Sequence, residues 1–155
     1  MTTLAIAIHV IAAILLVGPV MVSTSMFPAQ IANAQGGNTG ALSILHRITK
    51  TYGLFSAIVP VLGVAVFLTD LATYGKQGQF HASIALAIVA WALLIFVVIP
   101  KQKAVVAALG GDTDTVQAAA PADKPVDLEK SRSQIAMFSG IFNLLWIIIA
   151  ILMFI

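Results

Sequence analysis

Cysteine is absent from the chain, which excludes a disulfide framework, a thiolate metal site and a cysteine nucleophile. Charge is scarce as well: Asp, Glu, Lys and Arg make up 9% of the residues, against about 25% in a soluble domain. Four long apolar runs have cores free of any charged side chain. Such cores are where proton pumps and ion-coupled transporters keep their carriers, so an active transporter or an ion channel is not expected. There is no glycine-rich phosphate loop, no nucleophile–histidine–acid set and no pair of carboxylates placed for acid–base work. The net charge of +2 gives no nucleic-acid reading, because all eight cationic residues lie outside the apolar cores, where membrane topology accounts for them.

What is abundant is hydrophobic surface, 60% of the residues. A 155-residue soluble domain could not cover a core that rich with so few polar side chains. The chain is therefore read as one membrane domain, residues 1–155. Its first apolar run, Thr3 to Phe27, contains His9 as the one strongly polar side chain. At about 1.5 Å per residue a helix over this run reaches roughly 37 Å, enough to cross a hydrocarbon layer of about 30 Å. A backbone in lipid must satisfy its own hydrogen bonds, and continuous apolarity without alternation excludes a barrel strand. Ala32-Asn33-Ala34 before Gln35 looks like a leader-peptide cleavage site. No cation precedes the run, however, and it is longer than the usual apolar segment of about 7–15 residues, so it is expected to remain as a membrane helix.

Three further spans follow. The fold expected is an all-α, four-transmembrane-helix bundle with spans at about 3–27, 52–70, 80–100 and 133–155 and long loops at 28–51 and 101–132. Gly18-Pro19 is expected to bend the first helix and Pro28 to end it, with the glycine-rich tract 29–40 as a loop. The second helix is expected from near Ala41 to about Tyr74. Its opening turns put Leu42, Leu45, Ile48 and Thr49 on one side and His46, Arg47 and Lys50 on others. Pro60 falls mid-span and Pro100 at the end of the third run. The polar tract 111–125 separates that run from a fourth helix starting near Val126, where Asp127 and Glu129 suit a positive helix end. Arg47, Lys50, Lys101, Lys103, Lys124, Lys130 and Arg132 lie in the two long loops, and only Lys76 lies on the opposite side. This bias puts both long loops in the cytoplasm and both termini outside, in a cell (plasma) membrane.

Few residues carry chemistry. The helical neighbours of His9 are Ala5, Ala12 and Ala13, and a histidine on an alanine stripe faces another helix rather than lipid. It is either a haem or metal ligand or proton-relay member, or a residue whose hydrogen bond fixes helix packing. His81 opens the third helix at the same end of the bundle and is the one histidine placed to approach it. A bis-histidine haem would need both near one depth, and residue counting leaves them roughly a turn and a half apart. Gly53 and Ala57 form a small-xxx-small pair, and Ala136, Gly140, Asn143, Ile147 and Ala150 form one seam with a single amide. Both patterns permit close helix contact. Trp91 and Trp146, deep in their spans, are expected to pack or to touch a partner.

LAIAIHVIAAILLVG in the first span, LHRITKTYGLFSAIVPVLGVAVFL in the second, FHASIALAIV in the third and IFN at 141–143 together resemble small bacterial four-helix membrane proteins. These are related to the copper-resistance D (CopD) family and to HemJ-type protoporphyrinogen oxidases. The resemblance implies a helix-one histidine, matching His9, and a third-helix lysine tied to haem b and porphyrinogen oxidation. The lysine position is Ser83, Pro28 is followed by Ala29 where arginine is expected, and Asn143 by Leu144 where glutamate is expected. Keeping the apolar frame while losing these polar positions points to the non-catalytic branch. The function expected is an accessory or scaffold subunit stabilising a larger membrane complex, with the respiratory chain as host. Its partners would be the lipid bilayer and other membrane subunits, with no nucleic acid and no cofactor. The alternative is a haem b-binding oxidoreductase using His9.

Overall fold

The computed structural model describes residues 2–113 and 125–154. Among these the helices are α1 (Thr2–Gln35), α2 (Gly40–Phe55), α3 (Ile58–Thr69), the single turn α4 (Leu71–Tyr74), α5 (Gly78–Leu93), α6 (Ile99–Ala108) and α7 (Leu128–Leu152), with no strand. A π-helical turn, Leu94–Val98, joins α5 to α6. Four helical segments are long and apolar enough to cross a membrane: Thr3–Gln35, Gly40–Thr69, Gly78–Ala108 and Leu128–Leu152. The chain is an all-α bundle and a multi-pass membrane protein. Residues such as Ile14, Leu15, Val61 and Phe96 point outward, as lipid-facing side chains do.

The helices extend well past the limits set by composition. Pro19 and Pro28 both lie inside α1. Proline removes the donor that would reach the carbonyl four residues back, yet a membrane helix continues where neighbours hold it. Here Phe27, Ile31 and Ala34, at i, i+4 and i+7, are buried beside Leu42, Leu45, Val105, Val106 and Ile135. The expected loop 29–40 therefore shrinks to a turn, in which Gly37 takes φ +96° and the Asn33 carbonyl accepts from the N–H groups of Gly36 and Asn38. Most of 28–51 and 101–132 is helical where it is described. Most of the tract 111–125, with Lys124, lies outside the described residues.

The second span is broken rather than continuous. Pro60 cannot donate to the Ser56 carbonyl, which accepts from Val59 N–H at 3.0 Å instead. The preceding turn tightens so that Ala57 N–H reaches the Leu54 carbonyl at 3.3 Å. That frees the Gly53 carbonyl, which accepts from Ser56 Oγ at 2.7 Å and from Trp91 Nε1 at 3.1 Å. Trp91 thus ties α5 to the break in the second span. Opposite it, Pro100 is accommodated by the π turn, whose Leu94 carbonyl accepts from Ile99 N–H. Asp70 interrupts the chain again, its Oδ1 capping Thr73 N–H at 3.2 Å. Asp127 Oδ1 caps α7 through Lys130 N–H at 3.0 Å.

The interior has two apolar clusters. One, toward the end where the chain termini lie, gathers Val17, Val20, Val59, Ala87, Ala90, Leu94, Val98, Phe142, Trp146 and Ile149. The other, toward the long connections, is the cluster around Phe27 and Ile31. Between them every span contributes buried polar side chains: Ser23 and Thr24, His46 and Thr49, Gln102, and Ser139. Ser23 Oγ and Thr49 Oγ1 are 2.8 Å apart, and His46 Nδ1 lies 3.4 Å from Gln102 Oε1. His46 was expected off the buried face of its helix. It is 2% exposed, because Leu42, Leu45, His46, Thr49 and Gly53 together form that face.

Candidate functional site

α1 presents Ala5, His9, Ala12 and Ala13, all half-buried, along its inner face. The His9 imidazole lies against Gly63 of α3, where a Cβ would stand 3.1 Å from Cε1. Glycine is thus what lets the ring enter between the helices. The ring's Nδ1 is buried without a hydrogen-bond partner. Two cavities flank it, each of about 30 Å³. One is lined by Val59, Pro60, Gly63, Ser83, Ile84, Ala87, Trp146, Ile149 and Met153, the other by Gly63, Val66, Phe67, Tyr74, Phe80 and Met153.

His81 does not join this arrangement. It is exposed at the start of α5, with Nδ1 3.3 Å from the Gln77 carbonyl. Its ring packs edge-on against Phe67 at 5.2 Å, and it lines neither cavity beside His9. A cofactor of drug size or larger takes a pocket of about 300–1,000 Å³. The water-sized spaces beside His9 do not fit a haem, and Ser83 offers a hydroxyl where the resemblance implies a cation. Among the described residues no group of three or more His, Asp or Glu side chains is placed to hold a metal ion.

The packing residues divide. Gly53 is buried, and a Cβ there would meet Leu94 Cδ2 at 2.9 Å. Ala57 lies in the tightened turn after α2 and is half-buried. Asn143 donates from Nδ2 to Ser25 Oγ at 2.8 Å, joining α7 to α1. The rest of its seam lies outside the chain's own core: Ala136, Gly140, Ile147 and Ala150 are exposed, and a Cβ on Gly140 would meet nothing. The buried stripe of α7 is Ile135, Ser139, Phe142, Trp146 and Ile149, one residue out of step with that seam. Larger side chains take the interior because they fill it, and the small ones are left on the outside.

Ala136 and Gly140 border an open groove of about 560 Å³ between α1 and α7. Thr24, Ser25, Pro28 and Ala29 form one wall, and Ser133, Ala136, Ser139 and Gly140 the other, with Glu129 and Arg132 at one end. Neither the groove nor the polar tier behind it was foreseen from sequence. Small or hydroxylated side chains recurring three to four residues apart, at 24, 25, 28 and 29 and at 133, 136, 139 and 140, are the signal that would have marked it. No protein-family model, no curated protein and no solved structure matches the chain.

Proposed function

We propose that this chain is a non-catalytic membrane subunit that stabilises a larger membrane complex, receiving a partner helix in the groove between α1 and α7. The observation that carries the reading is that groove, walled by Ser25, Ala29, Ala136 and Gly140 and open on the outer surface of the bundle. Small side chains on both walls let a helix backbone come close, and van der Waals contact is what drives helix association in lipid. The spaces beside the histidine, by contrast, are too small for a substrate. A respiratory-chain complex is the host to test first, and the plasma membrane is the proposed location. The termini are assigned to the outside, supported by Arg47, Lys50, Lys101, Lys103, Lys130 and Arg132 at the opposite end of the bundle and Lys76 alone at theirs.

The test is mild-detergent purification of the tagged chain followed by native electrophoresis and mass spectrometry of what travels with it. Gly140→Leu fills the groove without touching the chain's own core. It should leave the bundle folded and release the partner. Recovery of the wild-type chain alone, or retention of the same partner by the variant, would refute the assignment.

A further inference from the structure

Three polar atoms without partners belong to side chains that line one small cavity: His9 Nδ1, Ser83 Oγ and Trp146 Nε1. They come from three different spans, α1, α5 and α7, and meet under the broken second span, which supplies Val59, Pro60 and Gly63. Ser83 is 1% and Trp146 9% exposed, so neither hydroxyl nor indole N–H reaches bulk water or lipid headgroups. Native interiors rarely leave one such group unsatisfied, and three sharing a wall need a common partner.

We propose that this cavity is a hydration site holding one ordered water that bridges His9, Ser83 and Trp146. Its volume of about 30 Å³ exceeds the roughly 10–15 Å³ a water needs, and three polar groups fall within the two to four partners buried waters use. The valences match. The indole N–H only donates, so it needs an acceptor, which the water oxygen supplies. A neutral imidazole with its proton on Nε2 presents Nδ1 as an acceptor for one of the water protons. The Ser83 hydroxyl can take either role and completes the set. The cavity on the other side of His9 gives the contrast. Among the described residues His9 Nδ1 is the one unpartnered buried side-chain atom on its walls, and Gly63, Val66, Phe67, Tyr74, Phe80 and Met153 complete the lining, so it lacks the three converging groups of the first cavity. The water thus bridges three side chains, one from each helix, for which the structure shows no direct hydrogen bond to one another.

The chain labelled with ¹⁵N-histidine and placed in lipid vesicles allows a direct test by solid-state NMR. His46→Gln and His81→Asn variants assign the three histidine signals, and exposed His81 serves as the wetted control. The expected result is an unprotonated, hydrogen-bonded Nδ1 on His9 with magnetisation transfer from water. That transfer should be lost in Ser83→Val, which fills the space. Trp146→Phe keeps the ring shape and removes the N–H, and should shift the His9 Nδ1 resonance. If Ser83→Val does not fold, the unmodified chain and Trp146→Phe still decide the matter. An Nδ1-protonated His9, no transfer from water in the unmodified chain, or a His9 signal unmoved by Trp146→Phe would overturn the proposal.

Discussion

Replacing Gly53 by alanine tests the contact on which the second and third spans are built. The new methyl would stand 2.9 Å from Leu94 Cδ2 and 3.4 Å from Ile99 Cδ1. Leu94 is fully buried in the π turn, so its side chain can yield only by displacing its own neighbours. Inserting a methyl into a closed contact costs about 1–3 kcal/mol. Alanine also gains roughly 1 kcal/mol of helix propensity over glycine, so the net loss at Gly53 is about 0–2 kcal/mol. Gly140→Ala supplies the reference, since it carries the same propensity gain and its methyl meets nothing. The two variants should therefore differ by about 1–3 kcal/mol, the size of the steric term alone. Reversible unfolding of the purified chain in mixed micelles, followed by circular dichroism, measures that difference. If Gly53→Ala proves as stable as Gly140→Ala, the helices do not approach each other there and the account of the paired irregular turns fails.

Ser23→Ala and Thr49→Ala in a double-mutant cycle should show a coupling of about 0.6 kcal/mol, typical of hydrogen bonds between membrane helices. Additivity within error would mean that the 2.8 Å contact adds nothing. Trp91→Phe keeps the ring and withdraws the indole donor from the Gly53 carbonyl, and should cost on the order of 0.5–1.5 kcal/mol in the same unfolding assay. The cost should stay near the low end because Ser56 Oγ still serves that carbonyl. Arg47→Ala removes an ion pair with Asp112 at 3.5 Å whose side chains are 57% and 70% exposed. Stability should change by less than about 1 kcal/mol, and the change should shrink further in high salt. Absorption spectroscopy separates the haem alternative: the purified chain is expected to lack a stoichiometric Soret band. A band that disappears in His9→Ala would reverse the assignment of function.

The spans were legible because a charge-free apolar run of this length has one solution in lipid. Their ends were not, since composition reports where polarity rises and not where a helix stops. Phe27, Ile31 and Ala34 carry α1 past Pro28 through contacts with α2, α6 and α7, which lie beyond any local window. His46 was readable in principle, for it falls on the same i, i+3, i+4 spacing as Leu42, Leu45 and Thr49. Its polarity argued for the surface, and Gln102 on another span is what allows it to be buried. At His9 the alanine neighbours indicated an inward-facing ring, but the glycine that admits it, Gly63, and the indole that lines the space beside it, Trp146, depend on helix register. Register between helices is fixed by side-chain packing across the whole bundle, and no single span encodes it.

The tier of hydroxyl, imidazole and amide groups that every span sends between the two apolar clusters has a consequence for how the molecule comes apart. Contacts among Phe27, Ile31, Val105 and Ile135 can loosen without unpacking Val20, Leu94, Phe142 and Trp146, because interchangeable hydrogen bonds separate them rather than interlocked methyl groups. Amide hydrogen exchange should accordingly resolve two protection classes along each long helix, with the boundary falling near Ser23, Thr49, Gln102 and Ser139.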